Sequence, residues 1–169
     1  MSRCDGLTPC FTNKVGSNVE CYLVAPASGY RLPSEAQWKY ACRAVSQTQN
    51  AVGDDERLLP EYGYYSNNST GRTRPAGDKL SNGWGLLDMH GNVWEWCWDW
   101  HGMTYYRESP DRHPSGPAGP NESSACVLRG GSWTYSAERL RSEYRSGVYH
   151  LADTEAITGF RVATALRKP

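Results

Sequence analysis

Net charge is what this chain most plainly lacks. Its 169 residues carry 18 Lys and Arg against 18 Asp and Glu. That balance removes the basic footprint of a nucleic-acid binder, so no nucleic-acid partner is expected. No apolar run approaches the ~20 residues that cross a bilayer as a helix, so no direct membrane span is expected. Met1-Ser2-Arg3 does not open a secretory signal peptide. The six cysteines, at 4, 10, 21, 42, 97 and 126, include no C-x-x-C pair, and the four His are scattered, which excludes the usual zinc patterns. Six is also too few for a disulfide scaffold at this length, which suffices for a single domain over 1–169 with its own core.

What the chain has instead is glycine, proline and large aromatics: 17 Gly, 10 Pro, 7 Trp and 11 Tyr. Such a composition points to short strands and ordered loops, not a helix bundle. Five of the seven Trp fall in the stretch from Asn82 to Trp100. From Val93 onward the residues alternate, with Trp94, Trp96, Trp98 and Trp100 on one parity and Val93, Glu95, Cys97 and Asp99 on the other. Period two predicts a strand. The Trp side is expected to pack against a second layer, as core and not as a sugar platform.

Taken in order, residues 10–22 predict a hairpin turning at Val15-Gly16-Ser17-Asn18, with Cys10 and Cys21 close enough near its open end for a disulfide or for two free thiols. A helix is predicted from Ser34 to Val45. Ser34 and Gln37 form its capping box, Glu35 lies in its first turn, and Trp38, Ala41, Cys42 and Val45 form its buried stripe. It carries no chemistry. Residues 46–81 are polar and turn-rich, with a short strand expected around Tyr62–Tyr65 and an extended edge over Arg72–Gly77. Cys126–Arg129 reads as a strand stopping at Gly130-Gly131, and Gly159–Ala163 reads as another. Between them residues 134–158 show neither helix nor strand period. Ordered loops longer than ~12–15 residues are uncommon and usually functional, so this one is the candidate binding surface.

Four stretches resemble the formylglycine-generating enzyme, or sulfatase-modifying factor, family: Gly29-Tyr30-Arg31-Leu32-Pro33-Ser34-Glu35-Ala36-Gln37-Trp38, Asn82 to Trp100, Arg129-Gly130-Gly131-Ser132-Trp133 and Gly159-Phe160-Arg161. They run in the family's order across most of residues 6–163. The resemblance implies an α+β, C-type-lectin-like fold: a small twisted antiparallel sheet, one or two helices and long ordered loops. The family's usual N-terminal strands and helix are missing. Its enzymes oxidise a substrate cysteine with two copper-binding cysteines after the Gly-Gly-Ser motif, whereas Tyr135 to Tyr144 holds no cysteine here. Soft thiolates hold Cu(I), so no copper is expected and the protein is expected not to be an enzyme. The alternative is a copper oxidase or related oxygenase acting on a Cys-containing peptide. A third reading is an assembly subunit needing a partner for its missing N-terminal part.

A second branch of the superfamily fits better. The C-terminal stretch resembles the variable proteins of diversity-generating retroelements, with Ala137, Leu140, Arg141, Ser142, Arg145 and Gly159-Phe160-Arg161 at that pattern's fixed places. Trp133, Thr134, Tyr135, Ser136, Arg139, Tyr144, Ser146, Val148, Tyr149, His150 and Leu151 are the expected ligand contacts, within a variable segment of about 133–158. Rewriting adenines in Asn-type codons yields Tyr, Ser, Gly, Val, His, Leu or Thr but not Glu, so Glu138, Glu143 and Glu155 are fixed or differently coded. Tyr and Ser also suit recognition physically, one giving rigid area and the other adaptable hydrogen bonds. The partner implied is a protein or cell-surface ligand; the compartment stays open, with display on a virion or cell surface as one setting. Arg129, Arg141, Arg145 and Arg161 are expected to brace the surface from beneath by pairing with carboxylates and carbonyls. The resemblance also implies a calcium ion held by Asp88, Glu95 and the carbonyls of Gly91 and Val93. The rival reading has Asp88 capping a turn and Glu95 meeting a buried Arg. His90, His101 and His113 have no ligand spacing and are read as structural or solvated. Ser132 lacks the surroundings of a nucleophile.

Overall fold

A computed structural model describes residues 11–14, 20–23, 28–119, 125–148 and 156–164, with 11–14, 20–23 and Val148 described by backbone alone. The chain groups into two compact units, residues 1–33 with 161–169, and residues 34–160. In the first, β1 (Phe11–Lys14) pairs antiparallel with β2 (Glu20–Leu23), which is the predicted hairpin. Cys21 lies opposite Asn13, and the Cys10–Cys21 pairing falls outside the described residues. Arg31 and Ala163 exchange backbone hydrogen bonds in the same unit.

The second unit holds the site. Its helix α1 spans Glu35–Arg43, and the Ser34 hydroxyl and Gln37 amide close the capping box. The helix ends two residues short of Val45 because Ala44 takes a left-handed conformation. Val45 follows with φ of +70° and is 72% exposed, so it leaves the expected stripe. The buried face is Glu35, Trp38 and Cys42, with Ala41 half-buried. A carboxylate thus occupies the inward face, as the charge balance below explains. The expected strand near Tyr62 is instead a short helix α2, Leu59–Tyr62, with Pro60 in its first turn. A 3-10 turn at Glu56–Leu58, capped by the Asp55 carboxylate, leads straight into it.

The Trp-rich strand is β3, Trp94–Trp100. It lies inside a four-stranded sheet ordered β5-β4-β3-β6, where β4 is Cys126–Arg129, β5 is Arg145–Val148 and β6 is Thr158–Gly159. β3 pairs antiparallel with β4 and parallel with β6, so the sheet is mixed where a wholly antiparallel one was expected. Residues 134–158 are also more regular than expected, since they contain β5, the first residue of β6 and a 3-10 turn at Ala137–Leu140. The strand expected at Gly159–Ala163 is shortened to the two residues of β6.

The faces of β3 are the reverse of the expectation. Glu95, Cys97 and Asp99 are buried, while Trp96, Trp98 and Trp100 are half-buried and only Trp94 is fully inside. The reason is what covers each face. α1 packs on the carboxylate side, where Trp38, Cys42, Met89, Cys97 and Val127 form one core cluster. Polar groups can enter this layer because α1 and the Arg side chains bring donors with them. A second cluster, Leu59, Tyr65 and Leu140 with Ala137 against it, lies under the loop that follows β4.

Candidate ligand-binding site

Between β4 and β5 the chain must leave the sheet, turn back and present side chains outward. Gly130 and Gly131 make the exit with φ of +94° and +79°. At Gly131 a Cβ would lie 2.6 Å from Leu140 Cδ1, so the position is closed to any side chain. Ser132, Leu140 and Ser142 then point inward, each 0% exposed. Thr134 and Ser136 are exposed, and Trp133, Tyr135, Arg139, Tyr144 and Ser146 are half-buried. Val148 closes the backbone pairing of β5 opposite Cys126, while Tyr149, His150 and Leu151 fall outside the described residues.

The expected contacts form a stacked group. Tyr135 meets the Trp94 ring edge-on at 5.6 Å, and Tyr144 tilts against the same ring at 6.0 Å. The Arg139 guanidinium stands over both tyrosines, 4.7 Å from Tyr135 and 5.4 Å from Tyr144. The Trp133 indole N–H donates to Ala156 O at 3.2 Å. Thr134 Oγ1 and Ser132 Oγ share a hydrogen bond at 3.1 Å. Offset aromatic pairs of this kind add roughly 0.5–1.5 kcal/mol beyond their buried area, so the surface is preorganised.

Arginines brace it from below. Arg129 is 0% exposed; it donates to Tyr144 O and, at 3.1 Å, to Ser142 O, and it approaches Glu35 at 3.5 Å. Arg145 grips the Glu35 carboxylate through Nε and Nη2 and donates to Gly102 O. Arg141 meets Glu56 at 3.4 Å. Arg161 belongs to the first unit. The sequence offered no hint that Glu35, on the helix, is the anion answering two of these arginines. Tyr106 joins the group beneath Arg145, 4.8 Å from ring centre to guanidinium. Burial, with Glu35 beside it, pushes the Tyr106 phenol up to about 12.

Two further features escaped sequence reasoning. Tyr64 carries Lys79 at 4.3 Å and Arg74 at 5.3 Å over its ring. Asn92, with φ of +64°, clamps the Arg74 backbone through its amide and takes the Trp133 N–H on its carbonyl at 2.9 Å. Ser66 N donates to Tyr135 O, so the loop around residue 64 is tied to the loop around residue 135.

The calcium set is distributed among protein partners. Asp88 has φ of +57° and its Oδ2 accepts from Gly77 N at 2.7 Å, which is the turn-capping role. Glu95 Oε2 accepts from the Trp38 indole at 2.6 Å. Gly91 packs against the Tyr64 carbonyl and donates to Gly130 O, and Val93 is half-buried. Among the described residues no three His, Cys, Asp or Glu side chains gather as a metal site. Each of the two carboxylates has a protein donor, and no role is built on an ion.

The remaining candidates are structural. His90 is 2% exposed; its Nδ1 faces Leu140 O at 2.8 Å and its Nε2 receives Ala51 N–H. Those partners fix the neutral Nδ1–H tautomer, and burial lowers its pKa. His101 is half-buried against Gly147 with its pKa lowered by burial, and His113 is exposed. Burial raises the thiols of Cys97 and Cys126, and Cys42 is 0% exposed.

Residues 9–166 match the Sulfatase-modifying factor enzyme 1-like domain. The chain belongs to this family. Among proteins, it is 41% identical to the formylglycine-generating enzyme of Streptomyces coelicolor over 120 residues, 63% of this chain and 37% of that one. It is 35% identical to serine/threonine-protein kinase pkn1 of Chlamydia caviae over 151 residues, 83% of this chain and 23% of that one. The chain thus spans well under half the length of these two relatives. Among solved structures, Treponema denticola variable protein 1 superposes with a TM-score of 0.83 at 30% identity, covering 96% of this chain and 64% of that one. PvdO from Pseudomonas aeruginosa superposes at 0.68 with 32% identity, covering 82% and 54%. This sulfatase-modifying-factor-like chain therefore has the α+β architecture expected of the C-type-lectin-like branch, shared with a variable protein.

Proposed function

We propose that the protein is a non-enzymatic binding protein whose outward residues between Trp133 and Val148 form a diversified ligand-contact surface. One observation carries the reading: the segment separates into inward anchors and outward positions. Leu140 and Ser142 are 0% exposed, while Thr134, Tyr135, Ser136, Arg139 and Tyr144 all reach the surface. Leu140 and Ser142, two of the residues that the variable-protein pattern holds fixed, make up the inward group, while Ala137, Arg141 and Arg145 are half-buried, and the likeness to Treponema denticola variable protein 1 supports the same reading. The ligand class is a protein or cell-surface molecule, since rigid tyrosines flanked by small polar residues suit such surfaces.

The test is combinatorial replacement at Thr134, Tyr135, Ser136, Arg139, Tyr144 and Ser146. Most variants are expected to fold with melting temperatures close to wild type and to differ in what they bind. General unfolding across the library would overturn the reading. A near-copy of the coding segment for residues 129–161 beside a reverse transcriptase gene, differing at adenines, would support diversification directly.

The 41% identity to a formylglycine-generating enzyme favours a second reading, a copper oxidase or related oxygenase acting on a Cys-containing peptide. The residues do not fit copper. Cu(I) calls for thiolates, residues 130–145 contain none, and Cys42 and Cys97 are packed into one core cluster. Tight Cu(I) binding within residues 130–145 would restore the oxidase.

A further inference from the structure

We infer that this surface takes an acidic segment of a protein partner, whose carboxylates pair with Arg139, Arg74 and Lys79; the inference rests on the binding reading above. The argument begins with which arginines are neutralised. Arg129 and Arg145 face Glu35, and Arg141 faces Glu56. Among the described residues no carboxylate pairs with Arg139, Arg74 or Lys79. Each of the three stands over a tyrosine instead: Arg139 over Tyr135 and Tyr144, Arg74 and Lys79 over Tyr64. Arg74 Nε is buried without a partner, and Lys79 spends one proton on Pro60 O.

A guanidinium held over a ring keeps N–H donors that can meet a carboxylate, and a lysine ammonium keeps its remaining protons. The rings also fix the cation in advance, so little side-chain entropy is lost when an anion arrives. Trp94, 2% exposed, holds Tyr135 and Tyr144 in turn. The two stacks are tied into one surface by Asn92, which clamps Arg74 and accepts from Trp133, and by Ser66 N–H on Tyr135 O. Thr134 and Ser136, both exposed, supply hydroxyls for the partner's backbone.

The charge pattern favours a peptide over a polyanion. A nucleic acid or sulfated glycan wants a continuous basic stripe. Here the cations are separated by rings, Glu138 is exposed on the same turn as Arg139, and the whole chain has zero net charge. Spaced carboxylates answer such an arrangement and a dense row of charges does not.

The experiment titrates the full chain with a labelled peptide of alternating Ser and Glu, with the Ser-Gln peptide as control. The Glu peptide is expected to bind about tenfold more tightly at low salt, with affinity falling as salt screens the pairs. Arg139→Gln is expected to remove most of that difference at unchanged melting temperature, and Arg139→Lys to recover part of it. Equal binding of the two peptides, or an unaltered affinity in Arg139→Gln, would overturn the inference. So would tighter binding of a heparin-derived oligosaccharide with the same dependence on Arg139. If the peptide fails while the combinatorial variants fold and bind other ligands, the acidic class alone falls. If the variants unfold, the binding reading falls with it.

Discussion

Glu35 and Arg145 stand 110 residues apart in the chain and meet through paired hydrogen bonds, Nε to Oε1 at 2.9 Å and Nη2 to Oε2 at 2.7 Å. The first turn of α1 is thereby bound to β5, the strand that closes the binding segment. Arg129 approaches the same carboxylate at 3.5 Å, so one anion answers two guanidiniums. Removing one member of a buried pair leaves the other charge uncompensated and costs roughly 3–5 kcal/mol. Glu35→Gln is accordingly expected to lower stability by about 3 kcal/mol in urea unfolding, whereas Glu143→Gln, whose carboxylate is 65% exposed on its salt bridges to Lys39 and Arg43, is expected to shift it by less than about 1 kcal/mol.

Asp99 gives the fold a pH dependence of definite sign. Burial raises its carboxyl from 3.8 to about 6, against the Glu35 N–H that donates to Oδ2 at 2.6 Å. The folded state therefore holds this proton at a pH where the unfolded chain has released it. From 3.8 to about 6 the unfolded state binds fewer protons, so this group's contribution to stability falls as pH rises and levels off above the folded value. Asp99→Asn removes that slope. Melting temperatures of wild type and variant, measured from pH 4 to 7, should diverge most at the upper end, with the wild type losing ground. A difference that does not change with pH would count against it.

Glu95 tests whether the Trp-rich strand is floor or site. Its carboxylate satisfies the buried Trp38 indole, and an unsatisfied buried donor costs about 1–3 kcal/mol. Glu95→Ala should lose stability on that scale and keep the affinity for the Ser-Glu peptide. Loss of binding at unchanged stability would make the strand a contact surface. Because Glu95 and Asp88 both have protein donors, stripping divalent ions with a chelator should leave the wild-type melting temperature in place; a clear drop would put calcium at this turn.

Gly131 limits what can vary. A Cβ there meets Leu140 Cδ1 at 2.6 Å and Arg139 O at 2.9 Å, with φ of +79°. Overpacking and a disfavoured backbone each cost on the order of 1–3 kcal/mol. Gly131→Ala should therefore lower stability and, by displacing Arg139, weaken peptide binding as well. Ser115→Ala, an exposed position outside the site, should do neither beyond a few tenths of a kcal/mol.

Local signals were legible and long-range ones were not. The capping box at Ser34 and Gln37, the strand at Trp94–Trp100, the hairpin and the Gly130-Gly131 exit all follow from short-range rules. The direction of β3 did not follow. Alternation fixes parity and leaves open which parity faces inward. Large rings suggested the Trp side, while the deciding fact was that Trp38 and two arginines arrive with donors for Glu95 and for Glu35 beside Asp99. Val45 was lost to a left-handed Ala44, which no periodicity encodes. At the site, Tyr135, Arg139 and Tyr144 were legible as candidates. Tyr64, Arg74 and Lys79 were hidden because contacts made far along the chain, by Asn92, Ser66 and Ser69, bring their loop to Trp133 and Tyr135.

His90 spans the second core cluster and the site in a way that bears on cooperativity. Its Nδ1–H holds Leu140 O and its Nε2 holds Ala51, so one buried ring bridges two loops through main-chain atoms. Backbone contacts are indifferent to the side chains that each residue displays. A population of chains differing at Thr134, Tyr135, Ser136 or Arg139 would therefore share one unfolding transition, and engineered variants of this surface could be compared for affinity without first correcting for differences in folding.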